Sequence, residues 1–184
     1  MRIDTLRGLI EGVPFVASPN SDARPEGAAI SLLVVHGISL PPGDFGGPWV
    51  DDLFHNRLDP SIHPYFETLK DLRVSAHVFI RRDGALMQYV SFRDRAWHAG
   101  QSSFEGVERC NDFSIGVELE GTDGHPYEPS QYRTLAALAR SLMQAYPEIT
   151  PARIVGHSEI SPGRKTDPGP AFDWGCLRDL LARN

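Results

Sequence analysis

Ile30-Ser31-Leu32-Leu33-Val34-Val35 is a short apolar run, ending at His36 ahead of the loop Pro41-Pro42-Gly43-Asp44-Phe45-Gly46-Gly47-Pro48. A run with no polar alternation marks a strand covered on both faces, so a sheet carrying material on each side is expected. The loop after it is dense in Pro and Gly, which interrupt helix and strand alike. Phe113-Ser114-Ile115-Gly116-Val117-Glu118-Leu119 reads as another strand, and Arg153-Ile154-Val155 as a short last one ending near His157. Val74 to Arg82 and Leu86 to Phe92 flank Asp83-Gly84, a dipeptide favoured in type I′ hairpin turns.

Helices are expected between these strands. Tyr132, Leu135, Leu138, Ala139, Leu142, Met143 and Tyr146 recur at helical spacing and make the segment from Ser130 to Tyr146 amphipathic. Residues 49–72 read as one or two short helices broken around Pro60 and Pro64, and Asp173 is placed to cap a terminal helix. Residues 1–29, rich in Pro, Gly, Ser and Asp, read as an irregular lead-in. With no internal repeat and no linker, residues 1–184 form one domain of the α/β (or α+β) class around a central sheet.

Composition narrows the function. The 184 residues hold 18 Lys+Arg against 24 Asp+Glu, a formal charge of −6, which argues against nucleic acid as a partner because phosphate neutralisation needs a basic face. Cys110 and Cys176 are too few for a disulfide framework, and reduced thiols in a cytoplasmic protein are expected. The first residues offer no apolar stretch for a signal peptide, and the longest apolar runs fall far short of the roughly 20 residues needed to span a bilayer. A cytoplasmic monomer with no membrane partner is expected.

Of the seven histidines, His36 and His157 stand apart: each closes an apolar run and opens a Pro/Gly-rich loop, so both project from one edge of a sheet, where active sites gather. Singly, each also reads as a half-buried histidine satisfied by hydrogen bonds. Asp167 lies ten positions beyond His157 on a proline-stiffened loop that also carries Arg164 and Lys165. Two imidazoles and one carboxylate are a usual protein ligand set for catalytic zinc; Asp167 equally reads as a turn residue before Pro168.

Several of these segments coincide with one pattern. Val34-Val35-His36, Val74 to Gly84, Ala96-Trp97-His98-Ala99-Gly100, Ser114 to Glu120 and Gly156 to Gly169 resemble the zinc N-acetylmuramoyl-L-alanine amidases, a family that includes peptidoglycan recognition proteins and phage lysozyme-type amidases. The loop Ile38 to Trp49, the run Glu108 to Phe113 and Lys165 to Pro170 bring it nearer to the cytosolic branch acting on 1,6-anhydro muropeptides. The resemblance covers nearly the whole chain in order. It implies a single mixed β-sheet flanked by helices, a Zn2+ ion held by His36, His157 and Asp167, and catalysis by Glu118 and Lys165. It further implies hydrolysis of the amide between the lactyl group of (1,6-anhydro) N-acetylmuramic acid and L-alanine in cell-wall recycling. Many relatives have cysteine in place of Asp167, and non-catalytic recognition proteins lose that ligand. Gly37 departs from the asparagine expected in the branch.

The roles suit the chemistry. Zinc lowers the pKa of a bound water to about 7 and polarises the amide carbonyl; Glu118 is the candidate base that passes the proton to the departing amine. Glu120 shares its strand parity, and only the motif selects between them; without the motif, Glu118 reads as a strand carboxylate paired with an arginine. Lys165 is the candidate donor to the developing oxyanion, or a solvated loop lysine. Because a muropeptide stem is anionic, Arg73 and Arg109 are the candidate carboxylate forks, with Arg81 and Arg82 read as surface charges. Trp97 and His98 are candidates for lining the sugar site, Trp97 also reading as core, and His77 for a place behind the metal ligands. Two other classes compete: a muropeptide-binding recognition domain without catalysis, and a metal-free domain whose histidines only pack.

Overall fold

The computed structural model describes residues 1–183. Its first correction lies in the lead-in, which carries three short strands, β1 (Ile3–Asp4), β2 (Leu9–Ile10) and β3 (Ser21–Ala23). Two-residue strands lie below the length at which alternation is legible in sequence. β1 and β2 form a hairpin, while β3 pairs with a distant strand that sequence cannot point to.

The elements then follow in order: β4 (Leu32–Ile38), α1 (Trp49–Phe54), α2 (Pro64–Glu67), β5 (Val78–Ile80), β6 (Leu86–Gln88), β7 (Asp94–Ala96), β8 (Ser103–Phe104), β9 (Val107–Glu108), β10 (Ser114–Glu120), α3 (Pro129–Ala145), β11 (Ile154–Gly156), α4 (His157–Ile160) and α5 (Trp174–Ala182). The central sheet has the order β11-β4-β10-β5-β6; all its pairs are parallel except β5 with β6. It is therefore mixed, as expected. β4 runs two residues past His36, because Gly37 and Ile38 pair with Leu119 and Glu120.

Strand parity decides which face holds the site. Leu33, Val35, Ile115, Val117 and Leu119 point to one face and pack with Leu135, Leu138, Ala139 and Leu142 of α3 and Leu177 of α5. The alternate residues of β4 and β10 point the other way. In the parallel register Glu118 stands opposite His36 and Val155 opposite Val34. His36, Glu118 and, just past β11, His157 thus share the face turned away from α3. On that face Leu32 and Val34 pack with Ala99, Cys110, Val155 and Ile160, and Phe79 packs with Leu53, Phe54 and Phe66 of the two short helices.

Local signals hold at the helix ends. Asp173 accepts from Cys176 N at 2.9 Å, capping α5, and Gln131 ties the start of α3 to β10 through Glu120 O at 3.0 Å. The Asp83-Gly84 turn differs from expectation. Type I′ requires positive φ at both central residues, yet here only Gly84, at φ 88°, is left-handed. Gly84 N donates to Arg81 O, and Arg81 N to Ala85 O, both at 2.9 Å. This is the longer hairpin loop that closes on a left-handed glycine.

Candidate active site

Three side chains from separate elements meet at one point. His36 comes from β4, His157 opens α4 directly after β11, and Asp167 lies on the loop beyond. His36 Nδ1 and His157 Nδ1 are 3.0 Å apart, and each is 3.1 Å from Asp167 Oδ2. The Asp167 loop is pinned by Ser158 N donating to Asp167 O at 3.0 Å and by the Tyr127 hydroxyl donating to Pro168 O at 3.0 Å.

This triangle fits a divalent metal. Bonds of about 2.0–2.2 Å in tetrahedral geometry place ligand atoms roughly 3.3 Å apart, close to the edges seen. The donor chemistry agrees. His157 Nε2 faces the Ala99 carbonyl oxygen at 3.2 Å, with Arg164 Nη2 farther off at 3.4 Å; an N–H at Nε2 has an acceptor there, and that tautomer leaves the Nδ1 lone pair to a metal. Lone pairs converging in this way call for a cation between them. Burial pushes the His36 pKa down to about 4, so the ring is the neutral form that a metal needs. Among the described residues this is the one group of three or more His, Cys, Asp or Glu side chains whose ligand atoms converge in this way.

Glu118 is separated from Glu120 by its surroundings. Glu120 accepts from Gly46 N and Arg82 N and lies 3.8 Å from Arg81 Nη1; it braces loops. Glu118 is half-buried, and its Oε2 is buried with no hydrogen-bond partner among the described residues. Desolvation, with Asp167 adding to it, raises the Glu118 pKa well above the ordinary value, against the pull of Lys165. Such an unpartnered buried carboxylate oxygen is costly and makes Glu118 a candidate functional group.

These groups line a cleft of about 710 Å³ together with Arg73, Trp97, His98, Asn111, Arg164 and Lys165, and with Leu40, Leu53, Tyr65, Leu69 and Leu72 as an apolar wall. Arg73 is exposed and reaches the cleft while donating to Lys70 O and Leu72 O at 3.1 Å. Lys165 is exposed on its rim. Trp97 is half-buried. His98 is in the wall, with both ring nitrogens engaged by protein groups. Arg109 stands elsewhere: it pairs with Asp112 at 3.2 Å and lines a separate depression of about 390 Å³, which shares only Gly100 and Arg164 with the larger cleft. His77 is fully buried, its Nδ1 accepting from Gly116 N at 3.0 Å and its Nε2 facing Asp94 O. It is no ligand of the triangle and no wall of the cleft. Arg81 and Arg82, read as surface charges, instead clamp Asp51 and Glu128.

Sequence reasoning missed Arg24, Tyr127 and Asn111. Arg24 is a buried guanidinium bonded to the carbonyls of Phe92, Asn111, Asp112 and Ser114, inside a lead-in with no periodic signal. Tyr127 explains Gly37: a Cβ at position 37 would lie 2.2 Å from the Tyr127 hydroxyl oxygen. Asn111 Oδ1 accepts from His98 N and Ala99 N at 3.1 and 2.8 Å; its position in the quoted run was legible, its task was not.

Residues 26–170 match the family model described as N-acetylmuramoyl-L-alanine amidase. The chain is 55% identical over 177 residues to the 1,6-anhydro-N-acetylmuramyl-L-alanine amidase AmpD of Escherichia coli (strain K12), covering 96% of each. A crystal structure of a selenomethionine AmpD derivative superposes with a TM-score of 0.94 at 55% identity, covering 98% of this chain and 99% of that one. At greater distance lies the E. coli amidase AmiD in complex with the substrate anhydro-N-acetylmuramic acid-L-Ala-D-gamma-Glu-L-Lys. That match has a TM-score of 0.60 at 31% identity, covering 85% of this chain and 60% of that one.

Proposed function

The chain belongs to the N-acetylmuramoyl-L-alanine amidase family, and we propose from there that its cleft cuts the amide between the lactyl group of 1,6-anhydro-N-acetylmuramic acid and L-alanine in muropeptides, in cell-wall recycling. Residues 1–184 act as one amidase domain, with zinc as the metal of His36, His157 and Asp167. The observation that carries this reading is the convergence of that triangle beside Glu118. A domain that only binds muropeptides has no chemical need for a carboxylate with a buried, unpartnered oxygen next to three metal ligands.

An amide is a weak electrophile with a poor leaving group. Zinc, when bound, supplies Lewis acidity for the carbonyl and an acidified water. Two neutral imidazoles and one carboxylate leave the ion at net +1, so that acidity is retained. Glu118, on the strand beside His36, takes the proton from the attacking water as its oxygen bonds to the lactyl carbonyl carbon. It returns that proton to the L-alanine nitrogen as the C–N bond breaks. The Lys165 ammonium on the rim stabilises the charge that collects on the former carbonyl oxygen. Arg73 is the fork placed to hold a stem carboxylate, and Trp97 is the aromatic face available to the sugar.

Lys165→Ala is expected to keep the metal and the melting temperature while turnover falls by about 10²–10³-fold, the usual loss for one oxyanion donor. Near-normal turnover would remove the role. We further place the protein in the cytoplasm, as a monomer acting on a small muropeptide and not on nucleic acid or membrane. Among the described residues no helix is long and apolar enough to cross a membrane.

The deciding experiment is mass spectrometry of 1,6-anhydro muropeptides incubated with zinc-loaded and with chelator-stripped protein. Free stem peptide and free anhydro sugar are expected from the loaded sample alone. Binding without cleavage in both samples would favour a recognition domain, and cleavage that survives complete metal removal would refute the zinc reading.

A further inference from the structure

His36 is held on its far side as closely as on the side facing the metal. Its Nε2 lies 2.9 Å from His98 Nδ1, and His98 Nε2 lies 3.2 Å from Ser114 Oγ. The two imidazoles meet edge to face, with ring centroids 5.0 Å apart and planes at 83°. The backbone of His98 is fixed by the Asn111 side chain at 3.1 Å. Its ring fills a slot that exists because residue 116 is glycine: a Cβ there would lie 2.4 Å from His98 Cγ and 2.6 Å from its Nδ1. With 9% of its surface exposed, His98 forms part of the cleft wall but turns neither ring nitrogen free to a ligand.

We infer that His98 is a positioning residue for the metal centre: its Nδ1 accepts the Nε2–H of His36 and so fixes the tautomer and orientation in which His36 Nδ1 faces the ion. The inference rests on the reading of His36 as a metal ligand. A neutral imidazole has one N–H; if Nδ1 gives its lone pair to a cation, the proton sits on Nε2 and needs an acceptor. In a dry site that acceptor must come from the protein, and the outer partners of metal-bound histidines set both orientation and affinity. His98 Nδ1 is in place to accept. Neutral His98 then carries its own proton on Nε2, where Ser114 Oγ accepts it, so both ring N–H groups have an acceptor. A carboxylate in the same place would add negative charge beside the ion; an imidazole holds the ring and leaves the net +1 of the three ligands unchanged.

The sequence placed His98 at the sugar, and the two roles separate experimentally. His98→Phe keeps a ring in the slot and deletes both nitrogens, whereas His98→Asn returns an amide oxygen to about the position of Nδ1. Zinc affinity is measured by competition with a chromophoric chelator, alongside the visible spectrum of the cobalt-substituted protein, KM, and circular-dichroism melts of the metal-free chain. The Phe variant is expected to bind zinc about 10–100-fold more weakly, with an altered cobalt spectrum and an unchanged KM at saturating metal. The Asn variant is expected to recover to within about threefold of the parent. Parent-like zinc affinity in the Phe variant, or a raised KM with normal affinity, would overturn the inference. Should the Phe variant not fold, long-range proton–nitrogen NMR of the zinc-loaded parent decides: a bare Nδ1 and protonated Nε2 on His98 are required, and the opposite tautomer refutes it. A parent that takes up no zinc would overturn the metal reading and this inference with it, whereas a zinc-binding parent beside an equally zinc-binding Phe variant overturns the inference alone.

Discussion

Glu118→Gln should bind zinc and muropeptide like the parent and lose turnover by about 10²–10⁴-fold, the range for a positioned general base. The side chain keeps its shape, so the expected loss is chemical. Glu118 sits opposite His36 in the sheet register and is half-buried with Oε2 unpartnered among the described residues, its pKa raised chiefly by desolvation. Such a group lowers stability wherever it is charged. The neutral amide removes that penalty, and the metal-free Gln variant is expected to melt no lower than the parent at neutral pH. Activity and stability would then move in opposite directions at one position, as functional groups held against the packing often show. Calorimetry together with single-turnover assays on anhydro muropeptide checks both halves. A Gln variant with parent-like turnover would transfer the base role to another group.

Asp167→Ala has the second large effect expected. The carboxylate is the one negative charge among the three ligands. Removing it leaves two imidazoles facing a cation across an open side. Zinc affinity should fall by more than the roughly 10–100-fold typical when only an outer partner of a ligand is lost, and turnover should fall with it. Asp167→Cys, which supplies a thiolate in the same direction, is expected to recover stoichiometric zinc. Atomic absorption after dialysis distinguishes these outcomes. An Ala variant that keeps one tightly held zinc per chain would break the ligand assignment.

The apolar run ahead of His36 and the strand carrying Glu118 were legible because buried parallel strands leave continuous hydrophobic stretches, and α3 because its apolar face repeats at helical spacing. The lead-in was misread since its strands are two or three residues long and their pairing partners carry no local mark. The Asp83-Gly84 dipeptide announced a hairpin correctly but left the turn type open, since one left-handed glycine serves more than one loop length. Arg73 and Arg109 looked alike in sequence; the fold sets one in the cleft and the other over a neighbouring depression. Glu118 and Glu120 share parity, and nothing in the strand itself distinguishes them. What distinguishes them is that Gly46, Arg81 and Arg82 arrive from other loops to occupy Glu120.

The amino-acid order by itself pointed to the kind of fold, because periodicity is local along the chain, and to the candidate ligating and catalytic side chains through the family resemblance of its motifs. Tertiary structure alone decided that His36, His157 and Asp167 converge within 3.1 Å of one another, that Glu118 Oε2 has no hydrogen-bond partner among the described residues, and that His98 stands behind His36. Each of those facts depends on strand register and loop approach between residues far apart in sequence. Hydrogen bonding and desolvation act over a few ångströms in space, whatever the separation along the polymer.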